Sequence, residues 1–266
     1  DLEISLGKDI YSCWACRETV DGITGKSISW LLKKYASKDD YKRFLELVPR
    51  TKFKEKIVTI EEVILPKEYK PFIKKHEASK EYKTALDYLL NRGLTIKHIQ
   101  KYKIGFCDSG KFFGRIIVPS FDSFGNINYF IGRDYTGKSK IPYLNHTNPK
   151  QDLVFNEGLV NFDLSVTLVE GVFDHTVTFN SIPLLGKTLS PKLVSKLQND
   201  LLGNLYILFD ADALKSAKEL QERLNFGRLR SRVYIIELPK DQDPSSLYKK
   251  LGEAAYYQAL VEGIMK

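Results

Sequence analysis

The sequence predicts an α/β protein: a mainly parallel sheet with flanking helices in its C-terminal part, preceded by a mixed α+β segment. Three observations predict it. After about Asn161, apolar runs of strand length alternate with helical patterns, which is how βαβ units read. The runs are almost continuously apolar, as strands buried on both faces are. Three of them end in acidic groups, Ser165-Val-Thr-Leu-Val-Glu170-Gly171, Leu205-Tyr-Ile-Leu-Phe-Asp210-Ala-Asp212 and Val233-Tyr-Ile-Ile-Glu-Leu-Pro-Lys-Asp241-Gln-Asp243-Pro244. In parallel sheets the reactive groups collect at the carboxyl ends of the strands.

Taken in order, residues 9 to 16 read as a strand ending in Cys13-Trp-Ala-Cys16, a spacing that suits a zinc knuckle better than a disulfide. Four ligands are needed and no second Cys/His pair lies nearby. Either that pair preceded Asp1, since a chain opening on Asp1 reads as a fragment or a processed product, or the knuckle is metal-free. Ser27 to Tyr35 reads as a short amphipathic helix. From Ala36 to Ser79 the lysine- and glutamate-rich sequence reads as a helix and then a linker, with Leu65-Pro-Lys-Glu-Tyr-Lys-Pro71 extended. Tyr82 to Asn91 carries Ala85, Leu86, Leu89 and Leu90 on one face and Gly93 as a stop; Thr95 caps a second helix. Strands follow at Arg115 to Pro119 and Ile127 to Arg133, joined by a turn at Asp122-Ser-Phe-Gly125.

The C-terminal alternation then gives a strand to Val169, a helix from Phe173 to Asn180, a strand from Ile182 to Leu185 and a helix from Ser190-Pro191. A strand to Phe209, a helix from Ala213 to Leu224, a strand from Val233 to Leu238 and a helix from Pro244 complete it. Ser190 before Pro191 is a cap followed by a first-turn proline. The expected domains are a partial zinc ribbon with its following helices at 1–50, a linker at 51–79 and a basic subdomain at 80–160. The parallel-sheet domain at 161–251 and a terminal helix at 252–266 follow.

The chain has 266 residues, 43% hydrophobic and 28% charged, with a formal charge of +8. That is an ordinary globular balance. Because the strand ends are acidic, positive charge must be concentrated elsewhere, and nucleic acid is the commonest partner for such a distribution. No apolar run approaches a membrane span and no signal peptide opens the sequence, so a cytoplasmic protein with no membrane partner is expected. Cys107 reads as a packed core thiol.

A glutamate and several aspartates gathered at one sheet edge repel one another unless cations hold them, and oxygen donors select hard ions, Mg²⁺ or Mn²⁺. The candidate metal ligands are Glu170, Asp210, Asp212 and Asp243, with Asp174 and Asp241 as further candidates. Asp210 and Asp212, two apart, are expected on the same side of an extended chain. Two bound metals would serve phosphoryl chemistry.

Glu170-Gly171 with Asp174, Asp210-Ala-Asp212 and Asp243-Pro244 resemble the motifs of the TOPRIM domain shared by topoisomerases, DnaG-type primases and some nucleases. Tyr88-Leu-Leu-Asn-Arg-Gly-Leu-Thr95 followed by Ile104-Gly105 resembles the start of the DnaG-type polymerase domain. Gly114-Arg-Ile-Ile-Val-Pro119, Ile131-Gly-Arg133 and Tyr143-Leu-Asn145 resemble its next motifs, in the same order. Tyr11-Ser-Cys13-Trp-Ala-Cys16 resembles the second half of the preceding zinc-binding domain, and so stands for half of a Zn²⁺ site.

The resemblance implies a DNA primase, a nucleotidyltransferase that makes short RNA primers on single-stranded DNA from ribonucleoside triphosphates. It also implies Glu170, Asp210 and Asp212 as catalytic metal holders, and a phage-type or bacterial origin with a replicative helicase as a further partner. By motif position, Lys111, Arg115, Arg133, Lys140 and Asn145 are the nucleotide- and template-binding candidates.

The sequence departs from the family pattern in several places. Ala211 and Lys215 stand where glycines are usual, Ser245 replaces an aspartate of the last motif, and Glu157 stands where a lysine is expected. Asp241 substitutes for the missing aspartate, or one metal site is weaker. The alternatives are a TOPRIM nuclease, which would degrade DNA without nucleotides, and a non-catalytic single-stranded-DNA-binding module. Gly25-Lys-Ser27 lacks the earlier glycine of a P-loop. His76, His98, His146 and His175 have no ligand spacing; only His175, beside Asp174, is near enough to the carboxylates to be weighed as catalytic.

Overall fold

The computed structural model describes residues 2–5, 10–13, 32–33, 35–47, 62–148, 153–186 and 189–264. Cys16 and most of the helix expected at Ser27 to Tyr35 lie outside the described residues, and so does the Gly25-Lys-Ser27 segment. The chain divides into two compact units, Asp1–Ile60 and Glu61–Lys266. In the first, β1 (Leu2–Ser5) pairs antiparallel with β2 (Ile10–Cys13), and α1 spans Lys38–Leu47. Ser37 opens α1, its Oγ accepting from the Asp40 amide at 3.1 Å, which satisfies one of the orphan donors of the first turn.

The second unit holds two sheets. The first is antiparallel, in the order β3 (Tyr69–Pro71), β4 (Gly105–Cys107), β5 (Arg115–Phe121) and β6 (Ile127–Asp134). Residues 69–71, read in the sequence as part of an extended linker, form its edge strand. Phe72 then packs on Tyr82 and Phe106, with ring centroids 5.3 and 5.1 Å away. A lysine-rich composition hid this strand, whose Tyr69 and Lys70 are only half-buried and whose Pro71 is exposed. The expected helical hairpin is present as α2 (Lys80–Asn91) and α3 (Ile96–Lys101). Thr95 and His98 form a reciprocal capping box at the start of α3, and Ser79 caps α2.

The second sheet is parallel throughout, with strand order β10 (Val233–Ile235), β9 (Leu205–Leu208), β7 (Val166–Val169) and β8 (Ser181–Pro183). Its covering helices are α4 (Val172–Val177), α5 (Pro191–Asn199) and α6 (Leu214–Leu224); α7 (Pro244–Leu251) and α8 (Glu253–Ile264) close the unit. Val166, Leu168, Leu205 and Ile207 are fully buried, as the continuous apolar runs require. β10 ends earlier than expected. Ile236 still donates a hydrogen bond to the Ile207 carbonyl, but its side chain leaves the sheet for the core between the two sheets. That core combines Ile116, Val118 and Ile131 of the antiparallel sheet with Val169, Leu208 and Leu247 from the other half. The expected boundary at 160/161 is thus spanned by shared packing.

The path of the chain through the parallel sheet sets the site. From β7 it moves outward to β8, then returns past β7 to β9 and on to β10. The strand order therefore reverses between β7 and β9, where a crevice opens at the carboxyl ends. Among the described residues, no helix is long and apolar enough to cross a membrane.

Candidate active site

Glu170 follows β7 and Asp210 follows β9 by two residues, so adjacent strands deliver both carboxylates to the crevice. They are joined directly: the Asp210 amide donates to Glu170 Oε1 at 3.2 Å. Asp174, in the first turn of α4, folds back to accept from the Gly171 amide at 3.2 Å and from the Ser245 amide at 3.1 Å. A Cβ on residue 171 would lie 2.7 Å from Asp174 Oδ2. The glycine after Glu170 therefore makes room for the second carboxylate. Asp243 caps α7, accepting from the Ser246 amide at 2.8 Å and the Ser245 hydroxyl at 2.7 Å.

Glu170, Asp174, Asp210 and Asp243 line one cleft of about 410 Å³, together with Arg92, Tyr143, Asn145 and Ser245. Burial, and then the neighbouring Asp174, Glu170 and Asp243, push Asp210 up to about 7. Burial and Asp243 push Asp174 up to about 6 against the bonds from Ser245 and Gly171, and burial also raises Glu170. These are the shifts expected of carboxylates that are buried and crowded together.

Two buried side-chain acceptors, Asp210 Oδ1 and Asn145 Oδ1, have no hydrogen-bond partner, and both residues line this cleft. Orphaned buried acceptors are costly, and a cation or ligand donor relieves them. The all-oxygen donor set fits a hard divalent ion. The carboxylates surround the cleft without closing on one point: among the described residues, no three His, Cys, Asp or Glu side chains form a ready metal cluster.

Asp212 stands differently from the expectation. A 3₁₀ turn begins at Ala211, so Asp210 and Asp212 do not lie two apart on an extended chain, and Asp212 is exposed outside the cleft lining. Side chains two apart on such a turn point in different directions. Asp241 is also exposed, with a left-handed φ of 59°. Ser245, standing where an aspartate was expected, uses its amide on Asp174 and its hydroxyl on Asp243. It ties the two carboxylates together.

The cationic candidates divide sharply. Arg115 is buried, its guanidinium donating to the carbonyls of Gly132, Ile141 and Pro142 and to Ser139 Oγ. Arg133 is half-buried beside the cleft, its guanidinium 4.7 Å from the Tyr143 ring centroid. Asn145 is placed by backbone pairing of Leu144 with Gly132, at 2.8 and 3.1 Å. Glycine is needed at 132, where a Cβ would meet the Leu144 carbonyl at 2.5 Å. Lys111 and Lys140 are exposed and outside the cleft lining. Cys13 ends β2 and Cys16 lies outside the described residues, so the zinc half-site has no described geometry.

His175 is a packing residue. It is buried between Asn156 Nδ2 at 3.1 Å and Ser181 Oγ at 3.0 Å, and burial pushes it down to about 3. Glu157 is also buried, paired with Lys192 at 2.7 Å and Lys196 at 2.8 Å. Sequence reasoning passed over Arg92, which lines the cleft and stacks 4.6 Å from the Phe173 centroid. The signal available was Tyr88 one helical turn before it.

The parallel sheet with its reversal point, the carboxylates on the edges of β7 and β9, and the antiparallel sheet packed beside it define a TOPRIM-type domain joined to a basic subdomain. No family model matches the chain. The DNA primase of Enterococcus faecalis is 27% identical over 233 residues, covering 65% of this chain and 36% of that protein. A DNA primase domain from Pseudomonas aeruginosa superposes with a TM-score of 0.60 at 24% identity, covering 72% of this chain and 75% of that one. The Aquifex aeolicus primase, comprising zinc-binding and RNA polymerase domains, gives 0.57 at 20% identity over 98% of this chain and 75% of that one.

The fold is that of the DnaG primase catalytic core, and the chain is related in sequence to the DnaG-type primases, as the ordered motifs implied. It spans about a third of the curated primase named above.

Proposed function

We propose that this chain is the catalytic core of a DNA primase, joining ribonucleotides on a single-stranded DNA template. The observation that carries the reading is the cleft in which Asp210 Oδ1 is buried without a partner among Glu170, Asp174 and Asp243. In the reaction the 3′-hydroxyl of one ribonucleotide attacks the α-phosphate of the next; the new phosphodiester forms as the bond to pyrophosphate breaks, and the hydroxyl proton passes to solvent. Glu170, Asp210 and Asp243 would hold Mg²⁺ or Mn²⁺, with Asp212 on the adjoining turn and Asp174 behind. When bound, such ions activate the attacking hydroxyl and take up charge on the leaving oxygens.

The remaining residues bind and orient. Arg92 and Arg133 offer guanidinium groups to phosphate oxygens, and Asn145 offers an amide at the cleft wall. Lys111 and Lys140 are solvated cations suited to the template backbone. Arg115 acts through the 139–142 segment it holds. Cys13 and Cys16 would supply two of the four ligands of a structural zinc.

The test is to incubate the chain with single-stranded DNA, the four ribonucleotides and Mg²⁺ or Mn²⁺, and to resolve the oligoribonucleotide products. Asp210→Ala should abolish synthesis with an unchanged circular dichroism spectrum. Products persisting in that variant would refute the metal assignment. Degradation of DNA without nucleotides would replace the reading with a nuclease.

A further inference from the structure

Tyr88 lies in the last turn of α2, on the antiparallel side of the cleft, and its hydroxyl oxygen accepts from two arginines at once. Arg92 Nε donates to it at 2.8 Å and Arg133 Nε at 3.0 Å. A phenolic oxygen can accept both, which saturates it. Each guanidinium is also seated on an aromatic face. Arg92 lies 4.6 Å from the Phe173 centroid and 5.2 Å from that of Tyr88, and Arg133 lies 4.7 Å from Tyr143. Tyr88 in turn meets Phe173 edge to face at 6.3 Å, so this group joins α2 to the start of α4, one residue before Asp174.

Holding an arginine by Nε fixes the plane of its fork and leaves the two terminal nitrogens to point elsewhere. Among the described residues, neither Arg92 nor Arg133 has a carboxylate within ion-pair distance; the ion pairs present there are made by lysines. Arg92, its fork fixed in plane and free of carboxylates, thus lines a cleft that also carries Glu170 and Asp210, and Arg133, fixed by the same Tyr88 oxygen, adjoins that cleft through the Tyr143 ring it lies over. Such a pair matches adjacent phosphoryl groups far better than it matches a base or a sugar.

We propose that Tyr88 is a positioning residue that sets Arg92 and Arg133 as one receptor for the polyphosphate chain of the incoming nucleoside triphosphate. The assignment rests on the nucleotidyl-transfer reading above. Tyr88 touches no substrate; it acts through the two arginines.

Tyr88→Phe keeps the ring and removes only the shared acceptor. Binding of ATP with Mg²⁺ and of inorganic tripolyphosphate is measured by calorimetry on the full chain, with thermal unfolding as the check on folding. Tyr88→Phe should weaken both ligands by about tenfold, the scale of a lost charge-assisted hydrogen bond. In primer synthesis it should raise KM for nucleotide with little change in kcat. Arg92→Lys, which leaves Tyr88 intact but cannot use it through Nε, should lose a similar factor. The double variant should lose less than the product of the two. Should Tyr88→Phe not fold, Arg92→Lys decides alone.

Wild-type affinity for both ligands in Tyr88→Phe, or in Arg92→Lys where that variant decides, overturns this assignment and leaves the nucleotidyl-transfer reading standing. Weakening of ATP but not tripolyphosphate also overturns it. If the unsubstituted chain binds neither ligand, both readings fall together.

Discussion

Asp210→Asn should stabilise the protein while destroying its metal site. With Asp210 raised from 3.8 to about 7, the ionised carboxylate is disfavoured in the fold by about 4 kcal/mol. Asp210 is half-buried in a cleft that opens to solvent, and screening brings the expected effect to about 2 kcal/mol. The sign follows from linkage. A folded-state pKa above the unfolded one means the native protein holds the proton longer, so this group favours folding below pH 3.8. That advantage is lost as pH rises through the window from 3.8 to about 7. Above it the native cleft carries the full repulsion of Glu170, Asp174 and Asp243.

An asparagine has the same shape without the charge, and the Asp210 backbone amide that bonds Glu170 is retained. In EDTA, urea unfolding of wild type and Asp210→Asn should differ little at pH 4 and by about 2 kcal/mol in favour of the variant at pH 8, which in thermal unfolding is about 4–8 °C in midpoint for a unit of this size. Comparing the two proteins at each pH cancels the other titrating groups. Adding Mn²⁺ should raise the wild-type midpoint more than that of the variant. A variant equal to or less stable than wild type at pH 8, or an advantage that does not grow between pH 4 and 8, would refute the reasoning.

Three further outcomes are expected from the surroundings of the site. Arg115→Met should cost about 3 kcal/mol in urea unfolding and speed amide exchange across 139–142, because that segment loses the guanidinium gathering its carbonyls. Glu157→Lys, which places a third ammonium beside Lys192 and Lys196, should destabilise the protein by about 3 kcal/mol or more, read as a lower thermal midpoint; a neutral result would show the two pairs to be dispensable. The His175 ring, held neutral by burial, should show no titration in its NMR shifts between pH 5 and 8, whereas a midpoint near 6 would reopen a proton-transfer role.

Much of the site was legible because hydrophobic pattern and strand ends are local properties. Val166 to Val169 and Leu205 to Leu208 are buried runs, and in a parallel sheet the residues just after such a run emerge at the reactive edge. Glu170 and Asp210 were therefore placed at that edge without any long-range information. Asp212 was misplaced because the backbone turns helical one residue after Asp210, and Ala-Asp-Ala contains no glycine or proline to announce it. Ser245 looked like a lost ligand in the sequence. Its bridging of Asp174 and Asp243 depends on α7 docking against α4, a contact between residues 71 apart.

The two strand arginines show most clearly where one-dimensional reasoning stops. Arg115 and Arg133 both follow a glycine in motif-like runs and were assigned the same kind of role. Register separates them. Arg115 pairs with Asp134 and Ile116 with Arg133, and since cross-strand partners share a face and successive residues alternate, the two arginines must lie on opposite faces of the sheet. Ile131, on the Arg133 face, lines the cleft. Ile117 and Phe130, on the Arg115 face, belong to a separate core with Phe112 and Cys107. Once the strands pair in this register, Arg115 cannot reach a ligand that Arg133 holds, and a guanidinium buried on the far face must find internal acceptors. The carbonyls of Ile141 and Pro142 provide them. The same act of burial draws the chain along β6 and brings Tyr143 and Asn145 to the cleft, so the arginine turned away from the site is what builds its wall.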